Sequence, residues 1–271
     1  MNLSTGDGMK IRKERALSWF TLCLVLATSL AASSSSGQIP DLPPLTPVKL
    51  AALGPVGRKA VEEAHQAVQA HLQDASANGK LGVALHAQNL LEEAEVCYRR
   101  AALFDPSSFR WKYYLALILM ESENVGEAAV TLREALRLEP AYFPAQLKMG
   151  ESLLASGKWQ EASQFYGEIL AEHPKSAEAY YGLGRVQAVR KDLAAAVEHF
   201  RKATEIVPDY GAAHYALAQT YKRMGKMEQA VEHLRLYDQS KGSAPTATDP
   251  LLNEIQALRS DPSAELRQGM E

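Results

Sequence analysis

The sequence is poor in cysteine and lacks the short motifs that mark most catalytic centres. Its 271 residues include two cysteines, and Cys97 is the only one after the first 36 residues. Without a second thiol in that part of the chain no intramolecular disulfide can form, so the fold must depend on packing. The patterns H-E-x-x-H, C-x-x-C and G-x-S-x-G and the P-loop are all missing. We therefore predict no catalytic residue, no metal site and no cofactor, and a protein that is not an enzyme.

An excess of positive charge is also missing. The chain contains 29 lysines and arginines against 32 aspartates and glutamates. Residues 1–36 hold four of the basic and two of the acidic side chains, which leaves residues 37–271 with 25 and 30 and a net charge of −5. Nucleic-acid binding needs a concentrated basic face, so the charge balance predicts no nucleic-acid partner.

Long apolar runs are scarce, and the one near the start of the chain is short. The run Ala16–Ala32 spans 17 residues and includes serine and threonine, which is weak for a membrane span. It follows a basic segment, Lys10–Arg15, and precedes Ser33–Ser36. This order is typical of a secretory signal, so we assign residues 1–36 to a signal peptide and expect export, to the periplasm or outside the cell if the chain is bacterial. The alternative is an uncleaved N-terminal anchor, which would be the chain's one contact with a membrane.

What the sequence does contain is a period of 34 residues. It is carried by four prolines, by an alanine twelve positions before each, and by a large apolar residue four positions after each alanine. The prolines are Pro106, Pro140, Pro174 and Pro208; the alanines are Ala94, Ala128, Ala162, Ala196 and, one period on, Ala230; the apolar residues are Tyr98, Leu132, Tyr166, Phe200 and Leu234. A fixed period of this length predicts a stacked repeat array instead of a closed catalytic domain.

Within each period the pattern predicts two helices joined by a turn. Apolar residues recur at steps of three, four and seven, which is the spacing of one helical face. Glycines such as Gly157 and Gly225 mark the turn between the halves, and the proline ends the second helix because it lacks an N–H group. Small residues such as Gly150 and Gly184 let two helices approach closely, and aromatic residues fill the space beside them.

This pattern resembles the tetratricopeptide repeat family. The resemblance rests on the small residue in each first helix, the five alanines, the aromatic residue or leucine four places on and the four prolines. It implies an all-α, right-handed helical-repeat solenoid of about five helix–turn–helix units within residues 75–244, with boundaries at 75–108, 109–142, 143–176, 177–210 and 211–244. The chain departs from the family pattern at Asn89, Glu123 and Lys191, which replace the glycine common in the turn between the helices.

The segments that flank the array receive separate predictions. Residues 37–54 form a proline-rich spacer, and residues 55–74 form a capping half-repeat whose helix covers the open N-terminal end. Residues 245–271 contain a linker and a short C-terminal helix that begins at Asp249–Pro250. That helix carries Leu251, Leu252, Ile255 and Leu258 on one side. Its simplest role is to cover the exposed end of the last repeat; the alternative is that it occupies the groove until a partner displaces it.

The resemblance also implies where a partner binds. In this family the first helix of each unit lines a concave groove, and its exposed positions select a peptide or a partner helix. The register places three positions of the first unit in that lining, Lys80, Val83 and His86. The predicted site itself consists of Arg110, Tyr113, Tyr114, Leu117, Met120, Leu147, Lys148, Glu151, Tyr181, Arg185, Tyr215, Gln219 and Lys222.

Three of these residues, Tyr113, Tyr181 and Tyr215, occupy the same place in three units, and we expect their rings to stack as a stripe. The sequence thus favours an exported, non-catalytic scaffold that binds a partner protein or peptide, with a role in cell-envelope assembly as one setting. The alternative is an accessory subunit of an envelope enzyme complex whose chemistry lies on another chain.

Overall fold

Helices follow one another through the array at the predicted period. The computed structural model describes residues 44–45, 50–240, 243, 245 and 247–259. The predicted signal or anchor, residues 1–36, lies outside the described residues, and the spacer, 37–54, is described only in part. All described residues belong to one unit of the chain, residues 43–271.

Twelve α-helices and one 3-10 turn, Leu50–Ala52, make up the regular structure of the described residues. The helices are α1 Pro55–Ala70, α2 Ala75–Ala87, α3 Leu91–Phe104, α4 Phe109–Glu121, α5 Val125–Leu138, α6 Phe143–Ala155, α7 Trp159–Glu172, α8 Ala177–Val189, α9 Leu193–Ile206, α10 Gly211–Arg223, α11 Met227–Gln239 and α12 Pro250–Arg259. No β-strand occurs in this part of the chain, and α2 to α11 pack as five consecutive pairs. The predicted all-α repeat class is confirmed.

Every pair turns through one residue with a left-handed backbone. These residues are Asn89, Glu123, Gly157, Lys191 and Gly225, with φ between 59° and 75°. In each turn the next residue donates its N–H group to a carbonyl near the end of the first helix, as Asn124 does to Leu119 at 2.8 Å. This bond satisfies a carbonyl that the helix end would leave without a partner. The three residues that replace glycine keep the same turn, so the departures from the family pattern do not change the architecture.

Close helix contacts lie where small and aromatic residues were predicted to meet. A β-carbon added to the glycine of three first helices would lie 2.4–2.7 Å from a ring of the second helix of the same unit. The pairs are Gly82 with Tyr98, Gly150 with Tyr166, and Gly184 with Phe200. The aromatic ring therefore occupies the volume that a larger residue in the first helix would need, and these rings are among the largest fully buried or nearly buried side chains.

The two ends of the array differ. At the N-terminal end α1 packs on α2 and buries Val61 and Val68. At the other end, Ala230 is the only buried residue within α11, and Val231 and Leu234 are exposed. Leu234 holds the register position of Tyr98, Tyr166 and Phe200, but no following unit covers it among the described residues. The simplest prediction for the C-terminal helix, that it covers this end, is wrong, because α12 packs on α2 at the far end of the array.

Candidate functional site

One surface of the array is formed by the first helices of the five units, α2, α4, α6, α8 and α10. We call it the first-helix face. All predicted site residues of the second to fifth units lie on these helices: Arg110, Tyr113, Tyr114, Leu117 and Met120 on α4, Leu147, Lys148 and Glu151 on α6, Tyr181 and Arg185 on α8, and Tyr215, Gln219 and Lys222 on α10. Their part in binding a partner stays a prediction.

The C-terminal tail, described at residues 243, 245 and 247–259, returns along the first-helix face. It begins beside α10, where Gly211 donates its N–H group to the carbonyl of Ser243 at 3.2 Å. The Ser243 hydroxyl donates to Asp209 at 2.6 Å. A β-carbon on Gly211 would lie 2.8 Å from the backbone oxygen of Ser240, so only glycine allows this close approach. The tail is therefore turned back toward the start of the array at the first residue of α10.

A buried carboxylate fixes the start of α12. Asp249 is 6 % exposed and accepts hydrogen bonds from the hydroxyls of Tyr113 and Tyr142 at 2.6 and 2.7 Å. It also accepts from the N–H groups of Leu251 and Leu252, both at 3.1 Å, and so caps the helix that follows it. Burial, and then the bond to Asp249, raises the pKa of both tyrosines well above its usual value, so both remain donors. Four donors thus offset the cost of burying this charge.

One turn further on, the tail carries a second carboxylate. Glu254 forms an ion pair with Arg110 and accepts a hydrogen bond from the Tyr114 hydroxyl at 2.8 Å. The Arg110 guanidinium lies over the rings of Trp111 and Tyr114, with its central carbon 5.3 and 5.7 Å from their centroids. These rings hold the arginine in place for the carboxylate.

Apolar contacts complete the attachment of α12. Ile255 is fully buried in the main core, and Leu251, Leu252 and Leu258 pack against it. At about 25 cal/mol for each Å² of apolar surface, complete burial of one such side chain contributes about 1.5–3 kcal/mol. The apolar side of α12 predicted from the sequence is therefore the side that meets the repeats.

The end of α12 lies over the first unit. The Arg259 guanidinium lies 3.8 Å from the carboxylate of Glu121 and 3.5 Å from the carbonyl of His86, and the Gln88 side chain donates to the Leu258 carbonyl at 3.4 Å. His86 is fully buried and its imidazole lies 3.1 Å from Glu121. This histidine, a predicted groove position, is thus buried at the place where α12 ends.

Part of the first-helix face stays open beside the tail. A cleft of about 260 Å³ lies between α6, α8 and the tail. It is lined by Leu147, Lys148, Glu151 and Tyr181 among the predicted site residues, and by Pro245, Ala247 and Leu252 of the tail. Arg185 lies over the Tyr181 ring, 5.8 Å from its centroid. Further along, Gln219 and Lys222 are exposed on α10. Charged and aromatic side chains here remain accessible to a ligand.

The predicted tyrosine stripe does not form in the described structure. Tyr113 stacks on Phe109 and meets Tyr142 edge-on, and Tyr181 packs against Tyr210. Tyr215, 47 % exposed, packs against the second helix of its own unit. Each ring contacts aromatic residues of its own unit instead, and Leu147 occupies the equivalent place between Tyr113 and Tyr181.

Several important residues were not among the predicted site positions. Asp249 and Glu254 lie on the tail, and Tyr142 and Tyr210 precede the first helices α6 and α10. The two tyrosines are 68 residues apart, twice the period, which is a signal in the sequence. The carboxylates carry no repeat register, and only their place on an amphipathic helix that begins with Asp-Pro marks them.

The chemistry available in the described residues is that of recognition. No group of three or more histidine, cysteine, aspartate and glutamate side chains is arranged there to hold a metal ion. Burial raises the pKa of the Cys97 thiol to about 12, so it stays protonated and unreactive at neutral pH. Among the same residues, no helix has the length and apolar character that a bilayer crossing requires.

Sequence comparison identifies the repeats. Three models described as tetratricopeptide repeat match residues 75–108, 147–211 and 190–244. Together with the five helix pairs, these matches show that the chain is a tetratricopeptide repeat protein.

Solved structures with the same fold include MamA and YrrB. MamA from Desulfovibrio magneticus RS-1 (residues 41 to the end) is 20% identical with a TM-score of 0.51, and the match covers 71% of this chain and 100% of that one. YrrB, titled a TPR protein with an unusual peptide-binding site, is 22% identical with a TM-score of 0.52 over 74% and 100%. At these identities the likeness shows the fold alone.

Curated relatives are much longer than the matched region. A probable UDP-N-acetylglucosamine–peptide N-acetylglucosaminyltransferase SPINDLY from Hordeum vulgare is 28% identical over 45% of this chain and 14% of its own length. The inactive TPR repeat-containing thioredoxin TTL3 from Arabidopsis thaliana is 29% identical over 49% of this chain and 19% of its own length. The chain thus spans less than a fifth of either relative, and the likeness to the transferase lies in its repeat region.

Proposed function

We propose that this protein is an exported, non-catalytic scaffold that binds a helical segment of a partner protein on its first-helix face. Tetratricopeptide arrays bind proteins or peptides, and the observation that carries the finer proposal is the seating of α12. Two tyrosine hydroxyls and one arginine of the first helix α4 hold an amphipathic helix there, together with a buried apolar contact, and that helix also packs on α2. A surface that holds one helix in this way has the chemistry to hold another.

The open part of the first-helix face supports the same function. Lys148, Glu151, Tyr181 and Arg185 line or adjoin the cleft beside the tail. Aromatic and arginine side chains contribute most to protein interfaces, and the half-buried Tyr181 and Arg185 supply both here.

Site-specific photo-crosslinking in living cells tests the binding face. A photoreactive amino acid at Gln219, exposed on α10, is compared with one at Gln164, exposed on α7, a second helix. We expect a protein crosslink from Gln219 that is lost on Tyr181→Ala and is missing from Gln164. Equal crosslinks from both positions, or crosslinks that ignore Tyr181→Ala, would place the interface elsewhere.

Export rests on the order of basic, apolar and serine-rich segments within residues 1–36. Cell fractionation followed by N-terminal sequencing tests it. A chain that starts near residue 37 outside the cytoplasm supports a cleaved signal, and an intact chain in the membrane fraction supports the anchor. An intact chain in the cytoplasm contradicts export.

A further inference from the structure

The C-terminal tail occupies the surface that the proposed function assigns to a partner. Its described residues contact α10 at Ser243, line the cleft beside α6 and α8 at Pro245 and Ala247, and cover α4 and α2 from Asp249 to Arg259. The tail therefore follows the first-helix face from the last unit to the first. Tyr113 and Tyr114, two predicted site residues, are fully buried in this arrangement.

We propose that the tail is an internal ligand that covers the α2 and α4 part of the first-helix face, and that the partner displaces it by presenting an amphipathic helix of the same chemistry. This inference rests on the proposed function and specifies the ligand of that function. The ligand is a helix with an acidic residue as its N-cap and two leucines in its first turn. A glutamate follows, and then a β-branched apolar residue that enters the core. In the tail these are Asp249, Leu251, Leu252, Glu254 and Ile255.

A purely structural cap would look different. A cap covers the end of a repeat array, yet Val231 and Leu234 of α11 stay exposed at that end. Generic apolar cover also needs no buried charge, whereas Asp249 enters a site built from two tyrosine hydroxyls. A site that supplies donors to a buried carboxylate discriminates strongly against helices without one, because its own hydroxyls would lose their partners.

The tail is also suited to leave as a unit. With ten residues, α12 is shorter than helices that persist alone in water, so it depends on the face for its stability. The repeats do not depend on it in return, since each unit is stabilised by its neighbours. Because the tail is tethered to the array, its effective concentration at the face is about 1 mM. If an external helix with the same contacts has a Kd of about 10 µM for the free face, competition from the tail weakens its apparent affinity by about 100-fold.

The test measures binding of a fluorescent synthetic peptide with the sequence of residues 247–259 to the full chain. Three chains are compared: the wild type, Ile255→Asp, which places a charge in the buried core contact, and Asn253→Asp, which places the same charge on the exposed side of α12. Fluorescence anisotropy should show binding to the Ile255→Asp chain about 100-fold tighter than to the other two. Adding Tyr113→Phe and Tyr142→Phe to the Ile255→Asp chain should remove that gain.

Three results would overturn the inference. Equal, tight binding by all three chains would mean that the face is open in solution. No binding by an Ile255→Asp chain whose helical circular dichroism is intact would mean that the face does not recognise this helix. Binding that persists in the tyrosine variants would place the peptide elsewhere. If any of these results is found together with a crosslink from Gln219, the proposed function is still supported, but the tail is not its internal ligand.

Discussion

Replacing Asp249 by alanine separates docking of the tail from stability of the array. The change removes the acceptor of two tyrosine hydroxyl bonds, at 2.6 and 2.7 Å, and of two backbone N–H groups at the start of α12. A hydrogen bond to a charged group contributes about 1.5–3 kcal/mol, and loss of a helix cap costs about 1 kcal/mol. The alanine variant no longer has to bury a charged carboxylate, and this saved desolvation cost offsets part of the total.

The net cost is about 3 kcal/mol, which shifts the docking equilibrium by about 100-fold. Hydrogen exchange followed by mass spectrometry measures it directly, because the backbone amides of residues 251–259 exchange when the tail undocks. We expect those amides to exchange about 100-fold faster in Asp249→Ala, while the amides of α6 to α9 keep their protection.

Asp192→Ala is the matched control. Asp192 caps α9 through a 3.1 Å bond from the Ala195 N–H group and is exposed, so the same substitution removes a cap but touches no residue of the tail. Exchange in residues 251–259 should not change. If the tail amides keep their protection from exchange in Asp249→Ala, or lose equal protection in both variants, Asp249 is not the residue that holds the tail in place.

Three further predictions concern the array itself. Gly184→Ala brings a β-carbon to 2.4 Å from the Phe200 ring and should lower the free energy of unfolding by about 1–3 kcal/mol in urea titrations, whereas Gly167→Ala, with open space around it, should not lower it. Lys191 has a φ of 66°, which is strained for a residue with a β-carbon, so Lys191→Gly should raise the free energy of unfolding by about 0.5–1 kcal/mol. A lower free energy of unfolding in this variant would show that the backbone of Lys191 is not strained. Burial, and then His214, lowers the pKa of His233, so as the pH falls below about 6.5 the unfolded chain gains the proton first and stability declines. Urea midpoints at pH 7 and pH 5 should differ less in His233→Gln than in the wild type; an equal difference would contradict this.

The features that were predictable from the sequence are those that recur. The Gly184–Phe200 contact and its counterparts lie within one unit, so the period of 34 residues reports them repeatedly. The left-handed turns at Glu123 and Lys191 were recognisable for the same reason, although neither residue is glycine. Local contacts that repeat five times leave a pattern even when single residues depart from it.

The surface on which the tail packs was not predictable in this way. Tyr113 and Asp249 are 136 residues apart, and their contact occurs once. The sequence pattern gives α12 an apolar side with Ile255 at its centre, and that pattern is compatible with either the exposed end of α11 or the first-helix face. The periodicity of apolar residues predicts that a helix has an apolar side, but it does not predict which surface covers that side. The position of α12 depends in addition on polar partners from more than one unit.

Those polar partners explain why the tail lies on the first-helix face and not on the end of the array. The end of α11 offers exposed apolar residues such as Val231, whereas the first-helix face offers apolar contact and donors for both Asp249 and Glu254. The Asp249 carboxylate would be costly to bury without donors, so it favours the surface that supplies them, and the half-exposed Arg110–Glu254 ion pair adds to that preference. Since the array's turns and glycine–aromatic contacts involve no described residue of the tail, we expect undocking to expose Tyr113 and the core around Ile255 while the repeats keep their fold. Substitutions such as Asp249→Ala and Gly184→Ala should therefore act independently, one on access to the first-helix face and the other on the fold that presents it.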